Sequence, residues 1–127
     1  MDIELVSEQN YPVLVEWYKG WDLPITPFAY IPRNSIIVGN VCAGFVYQLD
    51  NTSMWWIEGV VSNPSVMDTE LKKQALTILI KSLEDVVKVN NGDLIMTSTP
   101  RETLNCLFVE RGFSNTPEKY FHLARFI

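Results

Sequence analysis

Glu58 is the residue whose position in the sequence most suggests proton transfer. It interrupts an otherwise apolar segment, WWIEGVVS, that begins at Trp55. Apolar surroundings favour the neutral form of a carboxylate, and a general base needs that increase in proton affinity. Because side chains alternate between the two faces of a strand, Glu58 could equally face solvent or pair with a lysine. The two interpretations stay open from the sequence alone.

The one histidine and the two cysteines offer less chemistry. His122 can act as a base near neutral pH, but its apolar neighbours favour an ordinary position in a strand. Cys42 and Cys106 lie in segments that we predict to be buried, and they form no close pair. One histidine and two distant thiols do not make a metal-ligand set, so we predict no metal site. Unpaired thiols also predict a reducing, cytoplasmic location.

The segment that follows Ser62-Asn63-Pro64 has the features of an anion site. A strand is predicted to stop at these residues, and a long helix to begin near Asp68. The first turn of a helix leaves backbone N–H groups unpaired and carries partial positive charge. Nearly every helix shares these features, so on this ground alone water or a capping side chain is favoured over phosphate.

Aromatic residues are concentrated in the predicted first helix and in the proline-rich loop after it. Aromatic faces can hold an aliphatic or cationic amine, and they can equally form a core with a hydrophobic lid. The residues are Trp17, Tyr18, Trp21, Phe28 and Tyr30. Trp55 and Trp56 are predicted to point to opposite faces of their strand, one into the core and one against a helix or an interface.

Hydrophobic periodicity predicts the elements that position these residues. The predicted order is β-α-loop-β-β-β-α-β-α-β, with strands at 1–7, 35–38, 41–49, 54–61, 93–98 and 119–127. The helices begin near Asn10, Asp68 and Thr99, the last with a capping box. A right-handed crossover through the long helix makes the strands on either side of it parallel neighbours. We therefore predict an α/β or mixed α+β fold, whose mostly antiparallel sheet has helices on both faces.

The long helix, residues 68–89, has an apolar face and a polar face at helical spacing. The predicted buried residues are Leu71, Ala75, Ile78, Leu79 and Val86. The predicted solvent-facing residues are Lys73, Thr77, Lys81, Glu84 and Lys88.

Composition limits the classes of protein to consider. The chain has 127 residues, of which 47% are hydrophobic and 20% charged, which predicts a single domain spanning residues 1–127. Its net charge of −5 and its lack of a Lys/Arg run argue against nucleic acid as a partner. No apolar run approaches the roughly 20 residues that span a bilayer, and no signal peptide is recognisable.

The order of elements resembles that of the GNAT N-acetyltransferase superfamily over essentially the whole chain. The strand WWIEGVVSNP is similar to the family's fourth strand, and residues 68–89 are similar to the helix after it. LFVERGF is similar to the closing signature, in which a helix ends at a Gly-Phe pair, and KYFHLARFI resembles the last strand. The compact size and low motif fidelity resemble GNAT-like proteins of phage and prophage genomes.

This resemblance implies an acetyl-coenzyme A-dependent N-acyltransferase, in which a small-molecule or protein amine attacks the thioester directly. The pantetheine arm would pair with the fourth strand where it separates from its parallel neighbour. Val61 N–H, or a neighbouring amide, would polarise the carbonyl, and Glu58 would accept the proton. The clustered aromatic residues would line the acceptor pocket. The implied cofactor-binding residues are Val60, Val61, Ser62, Thr69, Glu70, Leu71, Lys72, Lys73, Ser98, Arg101 and Phe108.

The sequence departs from the family pattern at two places. The pyrophosphate loop normally has an arginine or glutamine and closely spaced glycines, where this chain has Met67, Glu70 and Lys72. Asp68 and Glu70 would repel phosphate, and the nearby lysines could offset that charge. Phe108 stands where many members have a tyrosine that protonates the sulfur, although a thiol pKa of about 8.5 allows departure without a strong acid.

These departures leave two functions open. The first is a divergent acetyltransferase. The second is a GNAT-shaped binding or structural module that has lost catalysis. An exposed Trp55 or Trp56 would favour the second, because exposed apolar surface often marks a partner, and a homodimer is the partner that we expect.

Overall fold

The computed structural model describes residues 1–115 and residue 125, and its strands form one five-stranded sheet. The strands are β1 (Ile3–Leu5), β2 (Ser35–Val38), β3 (Cys42–Gln48), β4 (Met54–Ser62) and β5 (Leu94–Thr97). They lie side by side in chain order, with β1 to β4 antiparallel and β5 parallel to β4. The predicted fold class is therefore confirmed. The predicted last strand, residues 119–127, and His122 lie outside the described residues.

Among the described residues, three α-helices lie on the two faces of the sheet: α1 (Tyr11–Gly20), α2 (Thr69–Val89) and α3 (Glu102–Glu110). The helix α1 packs on one face, where Leu14 and Trp17 join a cluster with Ile37 and Val61. The other face carries α2 and α3, whose buried residues pack against the apolar side chains of β2, β3 and β4. Helices thus lie on both faces of the mixed sheet, as predicted.

The buried face of α2 includes residues that periodicity did not identify. Ala75 and Leu79 are buried as predicted, but Ile80, Leu83 and Val87 are buried too. The predicted core residues Leu71, Ile78 and Val86 are only half-buried. Glu84, which was assigned to the solvent face, is only 6% exposed. This assignment was wrong because α3 covers that side of α2.

Arg111, the first residue after α3, pairs with Glu84 through two hydrogen bonds. Its Nε donates to Oε1 at 3.3 Å, and its Nη2 donates to Oε2 at 2.7 Å. The hydrogen bond to Glu84, together with the charge of that carboxylate, raises the pKa of Arg111. A two-pronged pair of this kind fixes geometry as well as charge. It ties the end of α3 to the C-terminal third of α2.

We expect Arg111→Ala to lower the melting temperature by roughly 5 °C or more, because it leaves a buried carboxylate without its partner. Thermal unfolding followed by circular dichroism measures the change. Lys19→Ala is the matched control, since it removes an exposed ion pair with Glu16 at 3.7 Å, and its melting temperature should match that of the wild type. Equal melting temperatures for Arg111→Ala and the wild type would contradict the structural role of the pair.

Several local expectations were wrong. Ile3 and Leu5 of β1 are exposed rather than half-buried, because β1 is an edge strand that no described helix covers. Neither Asn10 nor Thr99 caps a helix with its side chain. Asn10 Oδ1 accepts from Ser7 N, and Thr99 Oγ1 accepts from Arg101 N.

The two cysteines have different surroundings. Cys42 is buried in the sheet, and burial raises its pKa to about 12, so at neutral pH it is a thiol that packs as a small apolar side chain. Cys106 is exposed on α3, contrary to the prediction. Within residues 1–115 and 125, no group of three His, Cys, Asp or Glu side chains could hold a metal ion. None of the helices described is both long and apolar enough to cross a bilayer.

Candidate active site

The strands β4 and β5 pair over four positions, and β5 ends at the last of them. Their register runs from Met54 opposite Leu94 to Ile57 opposite Thr97, whereas β4 continues to Ser62. Among the described residues, no strand pairs with the side of β4 that faces away from β3 beyond Ile57. At the last paired position, the side chain of Thr97 in β5 donates from Oγ1 to the main-chain carbonyl of Ile57 in β4, at 2.9 Å. The open side of β4 therefore arises because β4 is longer than β5, and not because two paired strands part as predicted. We call this open side the fork.

A β-bulge lies at the fork. Phe45 pairs with Glu58 and Ala43 pairs with Val61, so Gly44 alone faces the two residues Gly59 and Val60. Gly59 has φ +66°, and a Cβ on it would overlap the ring of Phe45. Only glycine fits this position without strain. The extra residue removes the main-chain groups of Gly59 and Val60 from the regular ladder with β3.

Strand alternation indicates which main-chain groups face the fork. Asn63 N donates to Val41 O at 2.7 Å, so Val61, two residues earlier, also turns its N–H toward β3. Ser62 turns the other way, and its carbonyl accepts from Trp21 Nε1 at 2.6 Å. The main-chain groups of Val60 and Ser62 therefore face the open side of β4. The prediction allowed Val61 N–H or a neighbouring amide. The N–H of Val61 faces β3, and the bulge, which shifts the alternation by one residue, turns the neighbouring Val60 toward the open side.

Glu58 is exposed, so of the two interpretations left open by the sequence the structure supports the solvent-facing position. Its neighbour is Tyr47 of β3, whose hydroxyl lies 3.4 Å from Glu58 Oε2. Burial, followed by the charge and hydrogen bond of Glu58, raises the pKa of Tyr47. The phenol therefore stays protonated at neutral pH and can donate to the carboxylate. Tyr47 was missed from the sequence, because only the β3–β4 register brings it beside Glu58.

A cavity of about 1030 Å³ lies along β5 beside the fork. It brings together three of the predicted site residues, Glu58, Ser98 and Phe108. Phe108 is itself buried, and its ring lies 5.0 Å from that of Phe113 at the Gly-Phe signature. Trp56 also lines this cavity, and its Nε1 is buried without a hydrogen-bond partner among the described residues.

Comparison with known proteins decides the fold family. No protein-family model matches the chain, and no curated protein matches it. Solved structures match over its whole length. They include a putative acetyltransferase from Agrobacterium tumefaciens (15% identity, TM-score 0.67, 98% of this chain and 100% of that one) and a Trypanosoma brucei acetyltransferase (16%, 0.69, 98% and 99%). A third is AAC(6')-Iy in complex with a bisubstrate analogue, CoA-S-monomethyl-acetylneamine (17%, 0.63, 98% and 97%).

The fold is that of the GNAT acetyltransferases. The likeness extends over nearly all of each chain, so the resemblance in element order is confirmed at the level of the fold. In this GNAT fold the fork, the bulge and Glu58 all lie on β4, within the six residues from Ile57 to Ser62.

The aromatic residues predicted to hold an acceptor divide into two groups within the GNAT fold. Trp17 and Tyr18 are buried at 4% and 6% exposure, so they support the sheet and line no surface. Trp21, Phe28 and Tyr30 are exposed on the segment that follows α1. The hydrogen bond from Trp21 to Ser62 holds this segment against the end of the fork.

In the corner between β4 and α2, residues 63–68, backbone N–H groups are hydrogen-bonded to oxygen atoms of Asn63 and Asp68. Asn63 accepts from Ser65 N through Oδ1 at 2.9 Å and from Val66 N through its carbonyl at 3.1 Å. Asp68 caps α2 by accepting from Leu71 N at 3.1 Å. Asp68 is therefore the capping residue, and Thr69 is the first residue of α2.

The remaining predicted cofactor residues lie around this corner and on α3. Thr69, Glu70 and Arg101 are exposed, and Leu71 and Lys72 are half-buried. Lys73 lines a second cavity, of about 360 Å³, together with Glu102, Cys106 and Glu110. The fork and the corner are therefore two separate parts of the predicted site, joined by residues 63–68.

Proposed function

We propose that the protein is an N-acyltransferase that moves an acetyl group from a thioester to an amine. The fork carries this proposal, because β4 extends beyond the end of β5 after Ile57 and keeps an open side up to Ser62. An open strand edge pairs with an extended, amide-bearing ligand as it would with another strand. The pantetheine arm of coenzyme A is such a ligand. The bisubstrate complex of AAC(6')-Iy, which has the same fold, supports an acetyl-coenzyme A-like donor.

Residues of β4 supply the groups that the transfer needs. The N–H of Val60 in the bulge donates to the carbonyl oxygen of the thioester, where negative charge develops during attack. Glu58 accepts the proton that the attacking amine loses, directly or through one water molecule. A C–N bond forms, the C–S bond breaks, and the sulfur leaves as a thiolate. Departure as a thiolate needs no strong acid, which fits the presence of Phe108 at the position of the usual tyrosine.

Neighbouring residues orient these groups. Tyr47 acts as a positioning residue, because its protonated hydroxyl holds one oxygen of Glu58 in place. The exposed rings of Trp21, Phe28 and Tyr30 lie on the segment that contacts the end of the fork. They suit an acceptor amine with an apolar or cationic body. The acceptor is a small molecule or a protein side chain in this proposal.

The second candidate function is a binding or structural module without catalysis. The internally bonded corner favours it, since Ser65, Val66 and Leu71 already use their N–H groups. The argument from an exposed tryptophan no longer supports it, because Trp55 is buried and Trp56 is half-buried. A homodimer, a cytoplasmic location and a relation to phage-encoded proteins remain predictions.

Calorimetric titration with acetyl-coenzyme A and with S-acetyl-pantetheine tests the proposed function. We expect saturable binding of at least one thioester with a dissociation constant below about 1 mM, or roughly −4 kcal/mol. We also expect release of free thiol when a panel of primary amines is added. The catalytically inert module is supported instead if neither thioester binds at millimolar concentration.

A further inference from the structure

The backbone of the corner between β4 and α2 already uses part of what a phosphate would bind. The N–H groups of Ser65, Val66, Leu71 and Lys72 donate within the chain, and those of residues 67–70 have no acceptor among the described residues. Phosphate binds at a helix start through N–H groups that have no internal partner. Here the N–H groups of Ser65, Val66 and Leu71 donate to oxygen atoms of Asn63 and Asp68. The Asp68 carboxylate thus takes, at the first turn of α2, the role that a bound anion would have.

Packing holds the corner in this form. Asn63 is buried, and its Nδ2 donates to Asn40 O at 2.8 Å while its N–H donates to Val41 O. On the next residue, the ring of Pro64 packs so closely under the end of α1 that a Cβ on Gly20 would lie 2.5 Å from its Cγ. Opening the corner to release its N–H groups would break these contacts.

The local charge opposes phosphate as well. Asp68 and Glu70 place two carboxylates at the first turn of α2, and both side chains are exposed. Lys72 is the one basic residue of that first turn, since Lys73 faces α3 beside Glu102 and Glu110. A carboxylate within a few ångströms of a phosphate disfavours its binding.

The fork keeps more of its main-chain groups open. The bulge and strand alternation turn Val60 and Ser62 away from β3, and of their groups only the Ser62 carbonyl has a bond within the chain, from Trp21. We propose that this chain recognises its donor as an acyl-pantetheine thioester at the fork, and that the nucleotide diphosphate contributes little to binding. This inference rests on the proposed function and specifies its donor.

The deciding experiment compares acetyl-coenzyme A with S-acetyl-pantetheine by calorimetry, at about 50 mM and about 300 mM NaCl. We expect dissociation constants that agree within about threefold, with no loss of acetyl-coenzyme A affinity at the higher salt. Acetyl-coenzyme A binding more than about tenfold tighter, and weakening with salt, would overturn the inference and leave the proposed function intact. No binding of either thioester would overturn both.

A double variant, Asp68→Asn with Glu70→Gln, gives an independent test. Asparagine still caps a helix, so the substitutions remove charge and leave the helix start in place. We expect acetyl-coenzyme A to bind about three- to tenfold tighter, with S-acetyl-pantetheine unchanged. Asp85→Asn near the other end of α2 is the matched control and should alter neither affinity. Weaker acetyl-coenzyme A binding by the double variant would overturn the inference, because the first turn would then contribute to donor binding in the natural chain.

Discussion

Gly59→Ala is expected to lower the free energy of unfolding by about 2–4 kcal/mol and to remove thioester binding. The added methyl group meets the ring of Phe45, and the residue must hold a left-handed backbone conformation at φ +66°. Relief of both strains requires loss of the bulge. Loss of the bulge turns the N–H of Val60 toward β3 and so removes it from the open side of β4. Urea denaturation and calorimetry measure the two effects.

Gly39→Ala is the matched control for this substitution. Gly39 also has positive φ, at +54°, but a Cβ there meets nothing closer than 3.5 Å. It should lose about 1 kcal/mol and keep its thioester affinity. Combining Gly59→Ala with Phe45→Ala removes the steric part of the clash, so a folded protein remains available for binding measurements. Wild-type affinity in the Gly59→Ala protein would show that the bulge is not part of the site.

Glu58→Gln is expected to reduce turnover at neutral pH by about 10²–10⁴-fold while leaving donor affinity unchanged. The amide keeps the shape of the side chain and an acceptor for the Tyr47 hydroxyl, but it cannot take a proton from the amine. Because Glu58 is exposed, the substitution should not change the melting temperature. Glu16→Gln, on the exposed surface of α1, is the control for loss of one carboxylate.

Tyr47→Phe separates positioning from catalysis at the same place. It removes the hydroxyl 3.4 Å from Glu58 Oε2 and keeps the ring. We expect kcat to fall by roughly three- to tenfold with the donor KM unchanged, since a hydrogen bond of this kind is worth about 1 kcal/mol. A Glu58→Gln rate equal to that of the wild type would remove Glu58 from the mechanism, and with it the role given to Tyr47.

The fold was predictable because long segments with clear periodicity repeat their signal many times. The meander, the crossover and the parallel placement of β5 all follow from such segments. Glu84 was misplaced because its partner, Arg111, lies 27 residues away, and no local pattern reports a contact at that distance. The face of α2 that is buried depends on where α3 packs, which periodicity cannot specify.

The site was predictable in outline and not in its details. Gly59 inside an apolar strand is a recognised sign of a bulge, and using it would have favoured Val60 over Val61 as the residue that faces the open side of β4. The charge of Asp68 was visible in the sequence, but its bond to Leu71 N was not. Because of that bond, the Asp68 carboxylate itself accepts from an N–H group at the helix start, where an anion would otherwise bind.

The hydrogen bond between Trp21 and Ser62 links the segment that carries the exposed aromatic rings to the strand that ends at the fork. A mutation in that segment which moves the indole also disturbs the carbonyl of Ser62. Under the proposed function, a mutation that changes the acceptor preference therefore also changes the donor affinity, so the two properties cannot evolve independently. Selection for a new acceptor would alter how tightly the chain holds its thioester, and this constrains the order in which such mutations can accumulate.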